Sequence, residues 1–187
     1  MYVNEHEKIV LRADDVRRAL TRIAHEIAER NPDCEPAVAV VGIHRRGALL
    51  ARRLQELLEP LLEREVPLGD LDISFYRDDV GIRAEAPVVR ATRIEFALDG
   101  LTLVLVDDVL YTGRTVRAAI EALFDLGRPG RVQLAVLADR GHRELPIRPD
   151  YVGKNLPTAR EERIQVQLVE IDEIDQVLLV PSSEEAS

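Results

Sequence analysis

The chain has 187 residues and a formal charge of −9 at pH 7, because 34 aspartate and glutamate residues outnumber 25 lysine and arginine residues. Its one cysteine, Cys34, excludes a disulfide scaffold and favours a cytoplasmic protein, and its length suits one domain over residues 1–187. No apolar run reaches the roughly 18–20 residues that cross a bilayer, so no membrane association is expected, and the acidic charge argues against coating nucleic acid by bulk electrostatics.

Helical and strand-like patterns alternate in the first part of the chain. Residues 13–30 carry apolar side chains at helical spacing and predict an amphipathic helix. Residues 37–43, AVAVVGI, are apolar throughout, which is typical of a buried strand in a parallel sheet. A second helix is predicted over 47–63, with Pro60 ending or kinking it.

The rest of the chain continues this alternation and ends in short strands. A strand is predicted from residue 69 to residue 75, followed by a long loop or loose hairpin over 78–93. Residues 101–108 give the strongest strand pattern of the chain. The remaining predictions are a helix over 114–126, strands over 132–140, 151–152, 163–170 and 175–180, the last three in a polar setting, and a frayed tail over 181–187.

Strands and helices that alternate in this way predict an α/β fold with a doubly wound, mostly parallel sheet and additional C-terminal strands. In such sheets, ligands bind beyond the carboxyl ends of the strands. The candidate catalytic and binding residues are therefore those directly after residues 43, 75, 106 and 138.

The segment VLVDDVLYTGRT, residues 104–115, combines two features that suit a sugar phosphate. Amides and hydroxyls at a helix N-terminus bind anions, and Gly113 can adopt the backbone conformation that exposes those amides. Asp107 and Asp108 can accept hydrogen bonds from vicinal hydroxyls or hold a hydrated Mg²⁺. The pattern favours a ribose 5-phosphate site. The alternative is that the two aspartates cap the helix and that Thr112 and Gly113 form a simple turn.

This segment resembles the phosphoribosyl-pyrophosphate (PRPP) signature of the type I phosphoribosyltransferases. The resemblance implies the fold of that family and Mg²⁺-dependent chemistry on PRPP. A Walker motif is excluded because Ala48 stands where that motif has lysine, and the chain has no Gly-x-Gly-x-x-Gly motif. The implied PRPP-binding residues are Val104, Leu105, Val106, Asp107, Asp108, Val109, Leu110, Tyr111, Thr112, Gly113, Arg114 and Thr115.

A second glycine-containing loop follows the strand predicted over 37–43. Its sequence, GIHRRG, has the glycines and arginines that suit a diphosphate, through exposed amides and charge-assisted hydrogen bonds. In the family that it resembles, the loop at this position grips the pyrophosphate of PRPP, often with an unusual backbone geometry. The resemblance therefore assigns His44, Arg45, Arg46 and Gly47 to the pyrophosphate, although Arg45 stands where related sequences tend to have threonine.

Four stretches narrow the resemblance further: residues 19–30, 72–79, 106–118 and 137–158. Together they are similar to the family of pyrimidine-operon attenuation regulators that are also uracil phosphoribosyltransferases. The implied reaction converts uracil and PRPP into UMP and pyrophosphate. Residues 72–93 would form a small hood that closes over the substrates, with Arg77 as a catalytic residue together with Asp107 and Asp108.

Asp139 and Arg140 lie at the end of the strand predicted over 132–140. The resemblance assigns Asp139 as a further carboxylate for the metal, and Asp139, Arg140 and the backbone around 139–141 to the edge of uracil. The alternative for Asp139 is a strand-end carboxylate that pairs with a neighbouring arginine.

One polar face of the first predicted helix carries Arg18, Thr21, Arg22 and His25, opposite its apolar stripe. The simpler interpretation is a solvated face, because Glu29 lies on the same side. The resemblance implies instead that this face binds a hairpin in the leader mRNA of a pyrimidine operon, in a homodimer or a higher oligomer, with UMP or UTP strengthening the binding. Arg143, Arg148 and Lys154 are candidates to extend this basic surface, and Arg143 could equally belong to the mouth of the active site.

Two other functions stay open at this point. A plain salvage phosphoribosyltransferase for another purine or pyrimidine base would share the PRPP segment without binding RNA. A non-catalytic RNA-binding regulator would use the same pocket only to sense nucleotides. Turnover of uracil and affinity for leader RNA separate these three functions.

Overall fold

The computed structural model describes residues 7–32, 37–73 and 92–181, which form two β-sheets and four helices. In chain order the elements are β1 (Lys8–Arg12), α1 (Ala13–Arg30), β2 (Val38–Ile43), α2 (Arg46–Leu62), β3 (Leu68–Leu71), β4 (Thr102–Leu110), α3 (Arg114–Leu126), β5 (Arg131–Asp139), β6 (Tyr151–Asn155), β7 (Glu162–Gln167), α4 (Val169–Asp172) and β8 (Gln176–Pro181).

The larger sheet is parallel and has the strand order β3-β2-β4-β5-β6. Side chains of one strand point to its two faces in turn. In β2, Val38 and Val40 therefore pack with α1 and α2, whereas Ala39 and Val41 pack with α3. Strands β4 and β5 alternate in the same way. Helices cover both faces of the sheet, so the predicted doubly wound α/β fold is confirmed.

The smaller sheet is antiparallel and has the strand order β1-β8-β7. Val166 and Val177 of this sheet, together with Leu168, belong to the same buried cluster as the inner faces of α1 and α2. The two sheets therefore share one hydrophobic core, and the C-terminal strands complete it.

Arg53 of α2 ties the smaller sheet to the larger one. Its guanidinium donates to both carboxylate oxygens of Glu170 (2.9 and 2.6 Å) and of Asp175 (2.9 and 2.8 Å). The hydrogen bond from Arg53 lowers the pKa of Glu170. Burial raises the pKa of Asp175, but hydrogen bonds from Arg53 and the Val169 N–H outweigh burial, so that this pKa is lowered as well. The ion-pair cluster therefore favours the charged forms of both acids.

The strongly periodic segments form the predicted elements. Residues 13–30 and 114–126 are helical with the predicted bounds, and strands form within 37–43, 101–110 and 131–139. These segments either bury one helical stripe or are buried on both faces, which gives an unambiguous pattern.

Five details differ from the sequence-based prediction. Strand β1 was not predicted because its partner, β8, lies at the other end of the chain. Strand β3 ends at Leu71 rather than residue 75, and Pro60 lies inside α2, whose last turn continues to Leu62. Residues 169–172 form α4 instead of the end of a strand, because the carboxylate of Asp172 accepts the Leu168 N–H and turns the chain. The strand at 151 is not in a polar setting: Tyr151 is buried, and β6 pairs with β5 in the parallel sheet.

Three predictions lie partly or wholly outside the described residues. The hood predicted over 72–93 is described only at its ends, where Asp70 and Arg93 form an isolated bridge. Arg77 and Cys34 are outside the described residues, as is the tail beyond Pro181, which itself ends β8. Within the described parts of the chain, no helix combines the length and the apolar character that a membrane crossing requires.

Candidate active site

The carboxyl ends of β2, β4 and β5 bring three loops to one edge of the parallel sheet. Strand β4 lies between the other two, with Val106 opposite both Gly42 of β2 and Ala135 of β5. Gly47, in the first turn of α2 directly after this loop, packs so closely on β4 that a Cβ atom would lie 2.5 Å from the carbonyl oxygen of Val106. The loop with the GIHRRG sequence is therefore fixed beside the end of β4.

The turn between β4 and α3 has the geometry of an anion-binding site. Gly113 precedes the first helical residue with a φ of 96°, a left-handed conformation that favours glycine. The Arg114 N–H donates to the hydroxyl of Thr112 at 3.3 Å, and the first amides of a helix have no partner within the helix. The first turn of α3 has no acidic side chain, so its positive end stays available to a phosphate.

Asp107 and Asp108 occupy the end of β4, directly before this turn. Asp107 is 7% exposed, and one of its carboxylate oxygens accepts the Asp108 N–H at 2.9 Å. Asp108 is half-buried, and one of its oxygens accepts the Val109 N–H at the same distance. Gly113, and not an aspartate, occupies the N-cap position of α3, and no side-chain cap hydrogen bond forms there. Of the alternative interpretation, the turn at Thr112 and Gly113 is present, whereas the aspartates do not occupy the capping position.

The remaining residues of the PRPP segment divide into a buried and an exposed group. The side chains of Val104, Leu105, Val106 and Leu110 are buried in the two cores, and that of Val109 is half-buried. Tyr111 is 37% exposed. The guanidinium of Arg114 donates to Glu144 at 2.8 Å, which ties α3 to the loop after β5. The buried group builds the strand, and Tyr111 to Thr115 form the turn that leads into α3 and its first residues.

The loop after β2 has the unusual backbone geometry that the resemblance implied, because the peptide bond between His44 and Arg45 is cis. The side chains of His44 and Arg45 are exposed and line a cavity of about 280 Å³ together with Arg52. Arg46 instead donates to both oxygens of Asp172 at 3.1 Å. His44 and Arg45 thus remain accessible to an anion, whereas Arg46 is paired.

Helix α4 places acidic side chains beside this loop, which sequence reasoning did not foresee. Asp172 pairs with Arg46, and Glu170 and Ile171 line the same cavity as His44 and Arg45. The signal in the sequence was weak, because the segment VEIDEID, residues 169–175, is equally compatible with the end of a strand and with a turn of helix. The contact between α4 and the loop joins residues more than 120 positions apart.

Asp139 lies at the end of β5, and both of its carboxylate oxygens accept hydrogen bonds from the protein. Its two oxygens accept the Gly141 N–H at 2.9 Å and the guanidinium of Arg143 at 2.6 Å. Arg143 also donates to the carbonyl oxygens of Tyr111, Gly141 and Ile147. The strand-end pairing with an arginine is therefore present, and Asp139 shapes the loop at 139–147.

Arg140 is 8% exposed, and its guanidinium is directed away from the edge of the sheet towards residues 158–160. It donates to the Thr158 hydroxyl at 2.8 Å and to the carbonyl oxygens of Ala159 and Arg160. Its side chain also covers the ring of Tyr111 at 4.0 Å from the ring centroid. The Arg140 guanidinium is thus held by the protein, and the Gly141 N–H and carbonyl oxygen are likewise engaged by Asp139 and Arg143.

The residues of the site fit Mg²⁺ as a companion of a phosphorylated substrate. Within the described residues, no three histidine, cysteine, aspartate or glutamate side chains converge as a set of metal ligands. Mg²⁺ in phosphate-binding sites keeps several waters and is held by one or two carboxylates and the substrate phosphates. Asp107 and Asp108 meet that lesser requirement, whereas both oxygens of Asp139 are engaged by the protein.

The predicted polar face of α1 is present on the surface. Arg18, Arg22 and His25 are exposed, and the partly exposed Thr21 donates its hydroxyl to the Arg17 carbonyl. Arg22 donates to the carbonyl oxygens of Val152 and Gly153 in β6. These bonds bring the helix face beside Lys154, the next residue of β6.

Charges on this face are partly compensated. Arg18 pairs with Asp15 at 2.7 Å and Arg22 with Glu26 at 3.3 Å. The Arg12 N–H and the Arg18 guanidinium lower the pKa of Asp15, and Lys154 acts in the same direction from a longer distance. Lys154 and Arg148 are exposed, whereas Arg143 lies in the loop bound to Asp139. The structure thus joins Lys154 to the α1 face and places Arg143 at the mouth of the site.

Comparison with known proteins identifies the family of the chain. The family model of the phosphoribosyl transferase domain matches residues 4–172. The hypoxanthine phosphoribosyltransferase of Trypanosoma cruzi, solved in complex with the product IMP, has the same fold, with a TM-score of 0.71 at 16% sequence identity, over 97% of this chain and 94% of that one. The chain belongs to the phosphoribosyltransferase family.

Relatives of much higher identity define the subfamily. The bifunctional protein PyrR of Roseiflexus sp. (strain RS-1) is 63% identical over 175 residues, covering 93% of this chain and 95% of the relative. The bifunctional protein PyrR of Deinococcus radiodurans is 59% identical over 170 residues, covering 91% and 92%. Within the phosphoribosyltransferases, the chain is a member of the PyrR group.

Proposed function

We propose that this protein regulates a pyrimidine biosynthetic operon by binding the leader mRNA in a uridine-nucleotide-dependent manner, and that it also converts uracil and PRPP into UMP and pyrophosphate. One observation carries the enzymatic part: the phosphate-binding turn at the start of α3 adjoins Asp107 and Asp108 and lies beside the loop after β2. The membership in the PyrR group supports the regulatory part.

The two ends of PRPP match two of the loops. The 5-phosphate binds over residues 112–115, where amides and hydroxyls face an anion. Asp107 and Asp108 accept hydrogen bonds from the ribose hydroxyls. The pyrophosphate lies along residues 44–47, where His44 and Arg45 are accessible to it. This arrangement holds the C1 carbon of the ribose between the loops after β2 and β4.

The reaction replaces one bond at C1 by another. The bond from C1 to the pyrophosphate oxygen breaks, the bond from uracil N1 to C1 forms, and the proton of N1 passes to water. Negative charge moves onto the pyrophosphate, so cationic groups of the loop stabilise the transition state electrostatically. Mg²⁺, when bound with PRPP, neutralises part of the same charge.

The RNA-binding part rests on the surface formed by the α1 face and β6. Arg18, Thr21, Arg22 and His25 contact phosphates or unstacked bases, and Lys154 and Arg148 extend the surface. A homodimer would join two such surfaces. UMP or UTP in the PRPP site would strengthen RNA binding by favouring one arrangement of the site. We place the protein in the cytoplasm, where PRPP and nascent mRNA are found, and treat residues 1–187 as one domain.

The enzymatic part is tested by incubating the full chain with Mg²⁺, PRPP and each of three bases. We expect UMP and pyrophosphate from uracil and much slower turnover of hypoxanthine and adenine. A plain salvage enzyme for purines would give the opposite preference. A non-catalytic sensor would bind PRPP without producing UMP.

The regulatory part is tested by measuring binding of the operon leader hairpin with and without UMP. We expect UMP to tighten binding of this hairpin and to leave the binding of a scrambled hairpin unchanged. Uracil turnover without affinity for the leader RNA would contradict the regulatory part and leave only the enzymatic part.

A further inference from the structure

The start of α2 carries two pairs of adjacent arginines. Arg45 and Arg46 lie where the helix begins, and Arg52 and Arg53 follow two turns later. One member of each pair is bound to acidic side chains: Arg46 pairs with Asp172, and Arg53 is held by two carboxylates of the segment after β7. The charges of Arg46 and Arg53 are therefore already compensated by the protein.

The other two arginines, Arg45 and Arg52, are exposed, and their guanidinium groups have no hydrogen-bond or ion-pair partner among the described residues. Residues at this spacing lie on the same face of a helix, about 10 Å apart along its axis. A long side chain on a helix leans towards the helix N-terminus, so Arg52 extends towards Arg45. Both arginines line the cavity of about 280 Å³ that also contacts His44.

This cavity, which we call the α2 groove, runs along the helix from Arg45 to Arg52. Ala48 and Leu49 line it between the two arginines. Ala48 is buried and Leu49 packs against the hydrophobic core, so neither side chain separates the two guanidinium groups. Ile171 of α4 lines the groove as well. The groove therefore continues the loop of residues 44–47 along the surface of α2.

Two carboxylates also line the α2 groove, and only one of them is uncompensated. Both oxygens of Glu170 accept hydrogen bonds from Arg53, at 2.9 and 2.6 Å. Asp70 of β3 is half-buried, and its carboxylate has no partner in the part of the chain that the structure describes. The uncompensated charges are thus two arginines against one aspartate. This balance favours an anion that binds on the arginine side of the groove.

We propose that Arg52 is a further pyrophosphate-binding residue, and that the α2 groove holds the terminal phosphoryl group of pyrophosphate beside residues 44–47. The inference rests on the proposed function, which lays the pyrophosphate along that loop. The planar fork of an arginine donates to two phosphate oxygens at once, and Arg45 and Arg52 approach the anion from the two ends of the groove. The same contact is made to PRPP and to free pyrophosphate, so it contributes to binding and not to the chemical step.

The experiment compares the full chain with its Arg52→Gln variant in steady-state kinetics and in calorimetric titrations with sodium pyrophosphate and with UMP. For Arg52→Gln, we expect the KM for PRPP and the Kd of pyrophosphate each to rise about tenfold, because a charge-assisted hydrogen bond is lost. The kcat should stay within about twofold, since substrate and product lose the same contact. The Kd of UMP, which has no pyrophosphate group, should be unchanged.

Three further variants separate the role of Arg52 from effects of folding and of net charge. Arg52→Lys keeps the charge without the planar fork, so its affinity for pyrophosphate should fall only about threefold. Asp70→Asn removes the opposing charge and should tighten binding of pyrophosphate, measured without Mg²⁺, by about threefold. Arg131→Gln removes an exposed arginine at the amino end of β5 and is the matched control, with wild-type constants expected. Circular dichroism checks the fold of each variant.

The outcomes distinguish this inference from the proposed function. Absence of UMP formation by the wild-type protein would contradict the proposed reaction, whereas the calorimetric comparison would still decide whether Arg52 binds pyrophosphate. Formation of UMP by the wild type, together with an unchanged affinity of Arg52→Gln for pyrophosphate, would overturn the inference alone. An equal loss of affinity in Arg131→Gln would also overturn it, because net charge and not the α2 groove would then bind the anion.

Discussion

At the scale of the residue, backbone amides help to orient the adjacent carboxylates of Asp107 and Asp108. Each accepts the N–H of the following residue at 2.9 Å. The pair lies at the end of β4, where the proposed ribose would bring hydroxyl donors. A hydrogen bond to a charged group contributes about 1.5–3 kcal/mol, which corresponds to roughly one to two powers of ten in affinity or rate.

Asp107→Asn and Asp108→Asn should each lower kcat/KM for PRPP at least about tenfold. An amide keeps the shape of the side chain but accepts more weakly and lacks the charge. Steady-state kinetics at saturating uracil measure the effect, and circular dichroism with thermal melting checks that the fold is intact. If both variants keep wild-type kinetics, the ribose does not bind at these aspartates.

Gly47→Ala should destabilise the protein by about 1–3 kcal/mol, because the added methyl group would lie 2.5 Å from the carbonyl oxygen of Val106. The collision is with backbone, so a side-chain rotation cannot relieve it. Chemical denaturation measures the free energy of unfolding. A variant as stable as the wild type would show that the loop after β2 is not held against β4.

The local geometry of the candidate site could be predicted from the sequence where the residue type itself determines it. Gly113, Asp107 and Asp108 lie where the PRPP segment predicted, because a left-handed turn and a strand-end carboxylate leave a local signature. The partners of long side chains could not be predicted in this way. Arg46 pairs with Asp172, and Arg140 is directed at Thr158, which depends on segments brought together only by the fold.

At the scale of the element, the short helix α4 acts as a link between the two sheets. Its residues and the following turn supply the carboxylates for Arg46 and Arg53 of α2. Helix α2 in turn begins directly after the loop proposed to receive the pyrophosphate. The ion pairs therefore fix the position of that loop relative to the C-terminal strands.

Arg53→Met should lower the stability of the protein at neutral pH by about 2 kcal/mol and should make it less dependent on pH in acid. Glu170 and Asp175 have lowered pKa values in the folded protein, from ordinary values of 4.5 and 3.8. Their stabilising contribution is complete above those ordinary values and is lost as the pH falls through the lower folded values. Urea denaturation between pH 7 and about pH 3 measures this difference.

The control for this prediction is Arg131→Met, which removes an exposed arginine at the amino end of β5. It should follow the wild-type dependence on pH. A constant difference in stability between Arg53→Met and the wild type over the whole range would show that the ion pairs do not depress the two carboxyl pKa values.

The helices and strands that could be predicted from the sequence are those with a regular spacing of apolar residues. The 18 residues of α1 and the 13 of α3 each bury one stripe, and both helices were predicted with their observed bounds. Strand β1 and helix α4 were not predicted. Their conformations depend on β8 and on Arg46 and Arg53, and a window of four or five residues contains none of that information.

At the scale of the whole molecule, the candidate active site and the basic surface are built from different elements of the fold. The loops after β2, β4 and β5 form the site, whereas α1 packs on β6 through Arg22 and leaves Lys154 exposed beside it. A net charge of −9 is therefore compatible with RNA binding, provided that cations are concentrated on this surface. The exposed ion pairs of Arg18 and Arg22 are worth little each, so a phosphate can displace the carboxylates.

Lys154→Gln should weaken binding of the leader hairpin and lower the slope of log affinity against log salt concentration by about one unit. Lys154 is preferable to Arg22 for this test, because Arg22 also binds two carbonyl oxygens of β6, so its substitution would disturb the fold. Filter binding at several salt concentrations measures the slope. Arg131→Gln is the matched control, and uracil turnover should be unchanged in both variants.

An unchanged slope for Lys154→Gln would remove this residue from the RNA interface. If Lys154→Gln and Arg131→Gln lost the same amount of affinity for the hairpin, then the net charge of the protein, and not this surface, would determine RNA binding.

The most direct test of the whole account is a crystal structure of the protein with UMP. The phosphate should lie over the amides of residues 112–115, the ribose hydroxyls within hydrogen-bonding distance of Asp107 and Asp108, and the base over the backbone of Gly141. A nucleotide bound elsewhere in the protein, with this edge of the sheet empty, would contradict both the transferase and the nucleotide-dependent regulator.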